Sequence, residues 1–150
     1  MTAEVGLRET IDADLDTLFA FQADPEASAM AAFPSRDRRA FLDHQATIRA
    51  DPSTITLTIV TGEEVVGSIG SWDAEGERAV GFWIGRDHWG NGYATTALRA
   101  FLRIDRHRPL HAHVVDHNVG SQRVLEKCGF VFDHSVQGED VLEHVLVLTD

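Results

Sequence analysis

One cysteine, four prolines and one tyrosine among 150 residues remove several kinds of protein from consideration. Cys128 has no second thiol to meet, which excludes an internal disulfide and fits a reducing compartment. No apolar run approaches the roughly 20 residues that a membrane-crossing helix needs. The opening MTAEVGLRET lacks the basic-then-apolar profile of a secretory leader, so a cytoplasmic protein away from the membrane is expected. Basic residues are scarce: 13 Lys and Arg stand against 24 Asp and Glu, a formal net charge of −11. That balance argues against DNA or RNA as the main partner and favours cationic acceptors such as amines. An anionic ligand would have to find its positive potential locally. Metal signatures are missing as well: there is no His-Glu-x-x-His and no paired-cysteine spacing. His111, His113, Asp116 and His117 in HAHVVDHN form the one segment rich enough to hold an ion, with His111 and His113 on one strand face, and no metal is expected there. Repeats, low-complexity tracts and linkers are absent, so residues 1–150 read as one domain.

What is present centres on Gly81 to Phe101, GFWIGRDHWGNGYATTALRAF. An apolar strand through Trp83 and Ile84 stops at Gly85. Gly90 and Gly92 flank Asn91, and from Ala94 the apolar residues Ala97, Leu98, Phe101 and Leu102 recur at helical spacing. A glycine-rich turn into a helix leaves unpaired backbone N–H groups at the positive end of the helix dipole. Without Cβ atoms in the way, an anion approaches that backbone closely, so the turn is expected to hold a phosphate or pyrophosphate. A Walker-type loop requires Lys and Ser or Thr after its last glycine, where this chain has Tyr93 and Ala94. A dinucleotide fingerprint requires three glycines, and WGNGYA has two.

The rest of the chain supplies alternating strands and amphipathic helices, a mixed α/β (α+β) pattern. Val5–Glu9 reads as a strand, followed by a helix capped by Asp12 and carrying Leu15, Leu18 and Phe19 on one stripe. Residues 24–34 read as a loop with at most a short helical turn. Ser35 opens a second helix through Phe41, Leu42, Gln45 and Ile48. Thr54–Thr61 alternates, with its threonines on an exposed or partly covered face, and Glu64–Trp72 and Arg78–Gly85 continue it as an antiparallel meander. The crossover helix 92–105 returns the chain to Leu110–Val115. Asn118 caps a further helix ended by Gly129, and Phe130–His134 and Val141–Leu148 close the chain as strands.

Two segments carry a resemblance. WGNGYA at the head of a helix, and NVGSQRVLEKCGF from Asn118 to Phe130, together resemble the GNAT superfamily of acetyl-CoA-dependent N-acetyltransferases, with most likeness to the branch that acetylates ribosomal-protein N-termini. The order of elements matches that fold along essentially the whole chain. The resemblance implies a mixed, mostly antiparallel sheet with helices on both faces and a V-shaped opening between the strands near 78–85 and 110–115. Trp83, Ile84 and Gly85 would pair with the pantetheine arm, while Trp89, Gly90, Asn91, Gly92, Tyr93, Ala94 and Thr95 would hold the pyrophosphate. Asp87 stands where the family usually has Gln or Arg, which leaves Arg86, Arg123 and Lys127 as local cations. Leu125 occupies the position of a thiolate-protonating tyrosine common in relatives. Ser121 therefore takes the role of hydrogen-bonding the thiolate, and Asn118 that of orienting the helix or the pantetheine. His113, Asp116 and His117 are candidate bases. Phe33 and Pro34 are candidate walls of an acceptor pocket. Trp72 is expected as packing, and Cys128 as a small buried hydrophobe. The acceptor would be a primary amine, either a protein N-terminus or a small molecule, and the protein a monomer or homodimer. Two other readings stay open, a non-catalytic acetyl-CoA-binding module and a histidine-dependent metallohydrolase.

Overall fold

The computed structural model describes residues 4–150; Met1 to Ala3, on which part of the leader expectation rests, lie outside the described residues. Strands β1 (Val5–Glu9), β2 (Ile55–Thr61), β3 (Glu64–Ala74), β4 (Glu77–Ile84), β5 (Leu110–Val115), β6 (Val131–Gln137) and β7 (Leu142–Leu148) form one sheet in the order β1-β2-β3-β4-β5-β7-β6. Every pairing is antiparallel except β4 with β5. Helices α1 (Leu15–Ala23), α2 (Pro25–Ala31) and α3 (Arg38–Ala50) precede β2, α4 (Tyr93–Ile104) joins β4 to β5, and α5 (Val119–Lys127) joins β5 to β6. No helix among the described residues is long and apolar enough to cross a membrane.

Alternation along the strands divides the sheet into two faces. Ile59, Ile69, Val80, Leu110, Ala112 and Leu146 point to one side and bury against Ala97, Leu98 and Phe101 of α4 and Leu125 of α5. On the other side α1 and α3 pack through Phe19 and Phe41. The threonine face of β2 is more fully covered than its alternation indicates. Thr58 is completely buried, and its hydroxyl lies 2.9 Å from that of Thr10 and 3.0 Å from the Asp14 carboxylate.

Some boundaries differ from expectation for local reasons. Asp12 caps nothing with its side chain. It opens a short 3-10 turn, and Asp14 folds back to accept from the Ile11 N–H and from Arg8. Asp37, rather than Ser35, caps α3, accepting the Ala40 N–H at 2.8 Å. Residues 24–34 hold a real helix, α2, with Asp24 as its cap and Pro25 in its first turn, the arrangement proline favours.

The halves of the sheet meet at a vertex. β4 and β5 pair only at Arg78–Leu110 and Ala79–His111, whereas β5 keeps β7 along its whole length. Arg78 pins the closed end. Its guanidinium donates to Asp105 Oδ2 at 3.0 Å, Ser71 Oγ at 3.1 Å, the Ser53 carbonyl at 2.6 Å and Asp73 Oδ1 at 3.1 Å. Beyond Ala79 the strands part, and the gap opens toward the glycine loop.

Candidate functional site

The head of α4 is left without caps. Thr96 is the first residue whose N–H closes a helical bond, to the Gly92 carbonyl at 3.1 Å, and no side chain caps the helix. The N–H groups from Gly90 to Thr95 have no protein acceptor among the described residues. Gly90 and Gly92 hold φ of 79° and 76°, the left-handed region that side chains with a Cβ avoid. A Cβ at either position would meet nothing within 4 Å, so the demand for glycine is conformational and the space above the loop is open. Asn91 braces the turn from outside, its Nδ2 donating to the His88 carbonyl at 3.1 Å and the Trp89 carbonyl at 3.4 Å.

These amides face a cleft of about 480 Å³, within the size range of small-molecule sites. Its walls include Phe82, Trp83 and Ile84 of β4, Trp89, Gly90, Gly92, Tyr93, Ala94 and Thr95 of the loop and α4, and Asn118 and Ser121 of α5. Of the expected site residues, Gly85 and Asn91 fall outside these walls. Gly85 is committed elsewhere: its N–H donates to the Val66 carbonyl at 2.9 Å, and the Phe21 ring fills the place of its absent side chain. That bond also sets the phase of β4, because in an antiparallel pair successive residues aim their backbone groups at opposite neighbours. Gly85 and Trp83 address β3, so Phe82 and Ile84 present their backbone to the gap. The Ile84 carbonyl is met there by the Trp89 indole, Nε1 donating at 2.9 Å. Trp83 instead contributes its side chain, with its Nε1 buried and unpartnered.

Asn118 does what its position predicts, accepting the Ser121 N–H at 3.2 Å as the cap of α5. The Ser121 hydroxyl beside it lines the cleft and has no protein partner among the described residues. Local positive charge comes from α5: Arg123 and Lys127, the chain's single lysine, both stand on the cleft wall. Arg86 does not join them. It turns toward α2, donating to Asp24 Oδ2 at 2.6 Å and Glu26 Oε2 at 3.1 Å, which spends its charge away from the loop. Asp24, held chiefly by that hydrogen bond, titrates below the usual carboxylate range.

The candidate bases stand outside the walls. His117 Nε2 lies 3.0 Å from the Ala29 carbonyl, and Asp116 is exposed. His113 sits on the opposite sheet face between Glu77 and Glu143. Phe33 and Pro34 line a separate shallow hollow with Ser28 and Ser35, although the Phe33 ring also meets Trp83 edge-on at 6.4 Å. Trp72, expected as packing, is 40% exposed, and Cys128 is half-buried with its Sγ 3.7 Å from the Thr95 carbonyl. Among the described residues no group of three or more His, Cys, Asp or Glu could hold a metal ion.

The residues that expectation missed are Phe82, His88, Gly120, Val124 and the α2 trio Ala27, Met30 and Ala31. A signal existed for the trio, since the spacing i, i+3, i+4 behind Asp24-Pro25 describes one helical face.

Comparison with known proteins agrees with this geometry. The family model described as an acetyltransferase (GNAT) domain matches residues 4–131. The uncharacterized N-acetyltransferase p20 of Bacillus licheniformis is 27% identical over 143 residues, which span 86% of this chain and 80% of the relative. The spermidine N-acetyltransferase of Vibrio cholerae, solved with CoA and spermine, superposes with a TM-score of 0.83 at 15% identity, covering 97% of this chain and 95% of that one. An acetyltransferase from Agrobacterium tumefaciens superposes with a TM-score of 0.82 at 23% identity, covering 100% and 94%. At such identities the two structures share the fold.

Proposed function

The chain belongs to the GNAT family of acetyltransferases, and from that premise we propose that it moves an acetyl group from acetyl-CoA to a primary amine, with the cleft between β4, α4 and α5 as its cofactor site. The observation that carries this reading is the run of unpartnered amides from Gly90 to Thr95, which open into a cleft continuous with the parted strands. The residues present fit the co-substrate. The diphosphate suits the bare amides at the positive end of α4, with Arg123 and Lys127 adding charge. The arm suits the gap-facing backbone of Phe82 and the N–H of Ile84, whose carbonyl already accepts from Trp89. The buried Trp83 indole N–H wants an acceptor. Bound there, acetyl-CoA supplies a thioester carbonyl open to direct attack by an amine.

The chain's own groups divide the remaining work. Ser121 Oγ hydrogen-bonds the departing thiolate, a task that Leu125 cannot perform. Asn118 keeps Ser121 in place by capping α5. The acceptor is a primary amine, and a protein N-terminus, as in the ribosomal-protein branch, is the acceptor that least needs a base. Its pKa of about 7.7 to 8 leaves roughly a tenth of it neutral at pH 7, whereas a lysine-like amine near 10.4 is almost wholly charged. The reading places the enzyme in the cytoplasm as one domain, monomeric or dimeric.

The test is a thiol-release screen with acetyl-CoA over small amines and short peptides, alongside calorimetric CoA binding. Gly92→Val should weaken CoA binding at least tenfold. Ser121→Ala should lower kcat while leaving CoA affinity within twofold. A wild-type protein that binds no CoA, or releases no thiol with any amine, refutes the proposal.

A further inference from the structure

We propose that α2 sets the chemical class of the acceptor, admitting amines whose body beside the nitrogen is apolar and uncharged and turning away polycations. Such an acceptor is a hydrophobic monoamine or a peptide N-terminus with an apolar first residue. The inference rests on the reading of the cleft as the acetyl-CoA site. α2 is strapped across the open end of the sheet. Arg86, two residues past the end of β4, donates to Asp24 and Glu26 at the head of the helix. His117, two residues past the end of β5, donates from Nε2 to the Ala29 carbonyl at 3.0 Å. These ties hold α2 between the ends of the parted strands. Its inner face, Ala27, Met30 and Ala31, is therefore a wall of the same cleft as Asn118 and Ser121.

That side of the cleft is apolar. The α2 trio is joined by Phe82 and the Trp83 ring, and among the described residues no Asp or Glu lines the cleft. Asp24 and Glu26, the acidic residues at the head of α2, are engaged by Arg86 outside the walls. The Phe33 ring, which meets Trp83 edge-on, already carries the Arg36 guanidinium 5.2 Å from its centroid. Arg123 and Lys127 bring further positive charge from α5. A second ammonium on the acceptor would lie there desolvated and unpaired, a costly way to bury a charge. An alkyl or aromatic body instead gains in proportion to the surface it covers.

The overall charge of −11 does not reverse this preference. It draws any ammonium toward the protein, while the wall of the cleft sorts what arrives. Met30 fixes the fit. It is the one α2 wall residue that reaches past Cβ, it is 39% exposed, and its unbranched thioether adapts to bodies of different shape. It takes no part in the chemistry and acts on specificity alone.

Met30 is also one of only two methionines, which makes it its own probe. In the complex with CoA, which has no acetyl group to transfer, the isotope-labelled methyl signal that Met30→Leu removes should shift saturably with phenethylamine. Spermidine at the same concentration should leave it in place. In turnover, kcat/KM should be at least tenfold higher for phenethylamine or Leu-Ala-Ala than for spermidine, and at least tenfold higher for Leu-Ala-Ala than for Lys-Ala-Ala. The better of phenethylamine and Leu-Ala-Ala identifies a small amine or a protein N-terminus as the source of this chemistry. Met30→Glu should raise kcat/KM for spermidine and lower it for phenethylamine, at least tenfold each, with the acetyl-CoA KM within twofold of wild type. Met30→Leu should keep the wild-type order, and melting temperature serves as the control in both variants. A Met30 signal that ignores phenethylamine or follows spermidine, a wild type that prefers spermidine, or a Met30→Glu enzyme with the wild-type order overturns this inference. Absence of CoA binding, or of thiol release with every amine, overturns the function proposed above instead.

Discussion

Replacing Asp105 by alanine attacks the closed end of the sheet, and its cost follows from burial. The Asp105 carboxyl is fully buried, and the Arg78 guanidinium beside it is 7% exposed. Burial by itself pushes Asp105 up, but hydrogen bonds from Ser71, from the His107 backbone and ring and from Arg78 outweigh it and hold the carboxyl far below the usual range. Removing it leaves Arg78 charged and largely dry, a loss of about 3–5 kcal/mol for a broken buried pair. The remaining ion pair, to the exposed Asp73, is worth less than about 1 kcal/mol and does not compensate. Domains of this size are stable by only about 5–15 kcal/mol. At roughly 2–4 °C per kcal/mol the melting temperature should fall by about 6–20 °C. Urea unfolding followed by circular dichroism measures the change, with the m value as a check on two-state behaviour. The double variant Asp105→Leu, Arg78→Met removes both charges and should regain most of the loss. A single variant that loses less than about 1 kcal/mol, or a double variant that recovers nothing, refutes the reasoning. CoA affinity should fall in the single variant, because only two residue pairs join the sheet's halves at this point.

Acid should weaken the fold through Asp14. The hydrogen bond from Arg8 is the chief cause that lowers its pKa from 3.8 to about 2, and the side chain is 3% exposed. The unfolded chain takes up this proton first, so the stabilisation is complete above about pH 4 and is lost as pH falls toward 2. It amounts to about 2 kcal/mol, and Asp14→Asn should remove that part of the pH dependence in urea titrations. Gly67→Ala should destabilise by about 1–3 kcal/mol, since its Cβ would lie 2.2 Å from the Trp83 carbonyl oxygen, whereas Gly120→Ala meets nothing within 4 Å and should be neutral or stabilising in the same assay. Burial raises the pKa of Cys128, so an aromatic disulfide reagent at pH 8 should react at least tenfold more slowly with native protein than in urea.

Features built from hydrogen bonds three or four residues apart were readable from the chain alone. The glycine loop, its positive φ angles, the Asn118 cap and the α4 stripe are all of this kind, because backbone sterics and helical periodicity act over one turn. The β2–β3–β4 meander followed from alternation and short turns, whereas the place of β7 between β5 and β6 did not. α2 carries a local signal in Asp24-Pro25, yet its small apolar residues read as a loop from the chain alone. What the tertiary structure decided lies at longer range. Arg86 is near the loop in sequence, yet it reaches carboxylates at Asp24 and Glu26, near the head of α2. The phase of β4 was set by one bond to Val66: of the expected Trp83, Ile84 and Gly85, only Ile84 keeps its backbone toward the gap, and Phe82 joins it. His113 acquired its two carboxylate neighbours only when β4, β5 and β7 came together. Local stereochemistry therefore determined which segments form and where an anion can rest. The partner of each charge and the edge of each strand depend on contacts between distant residues, whose pairing no local rule specifies.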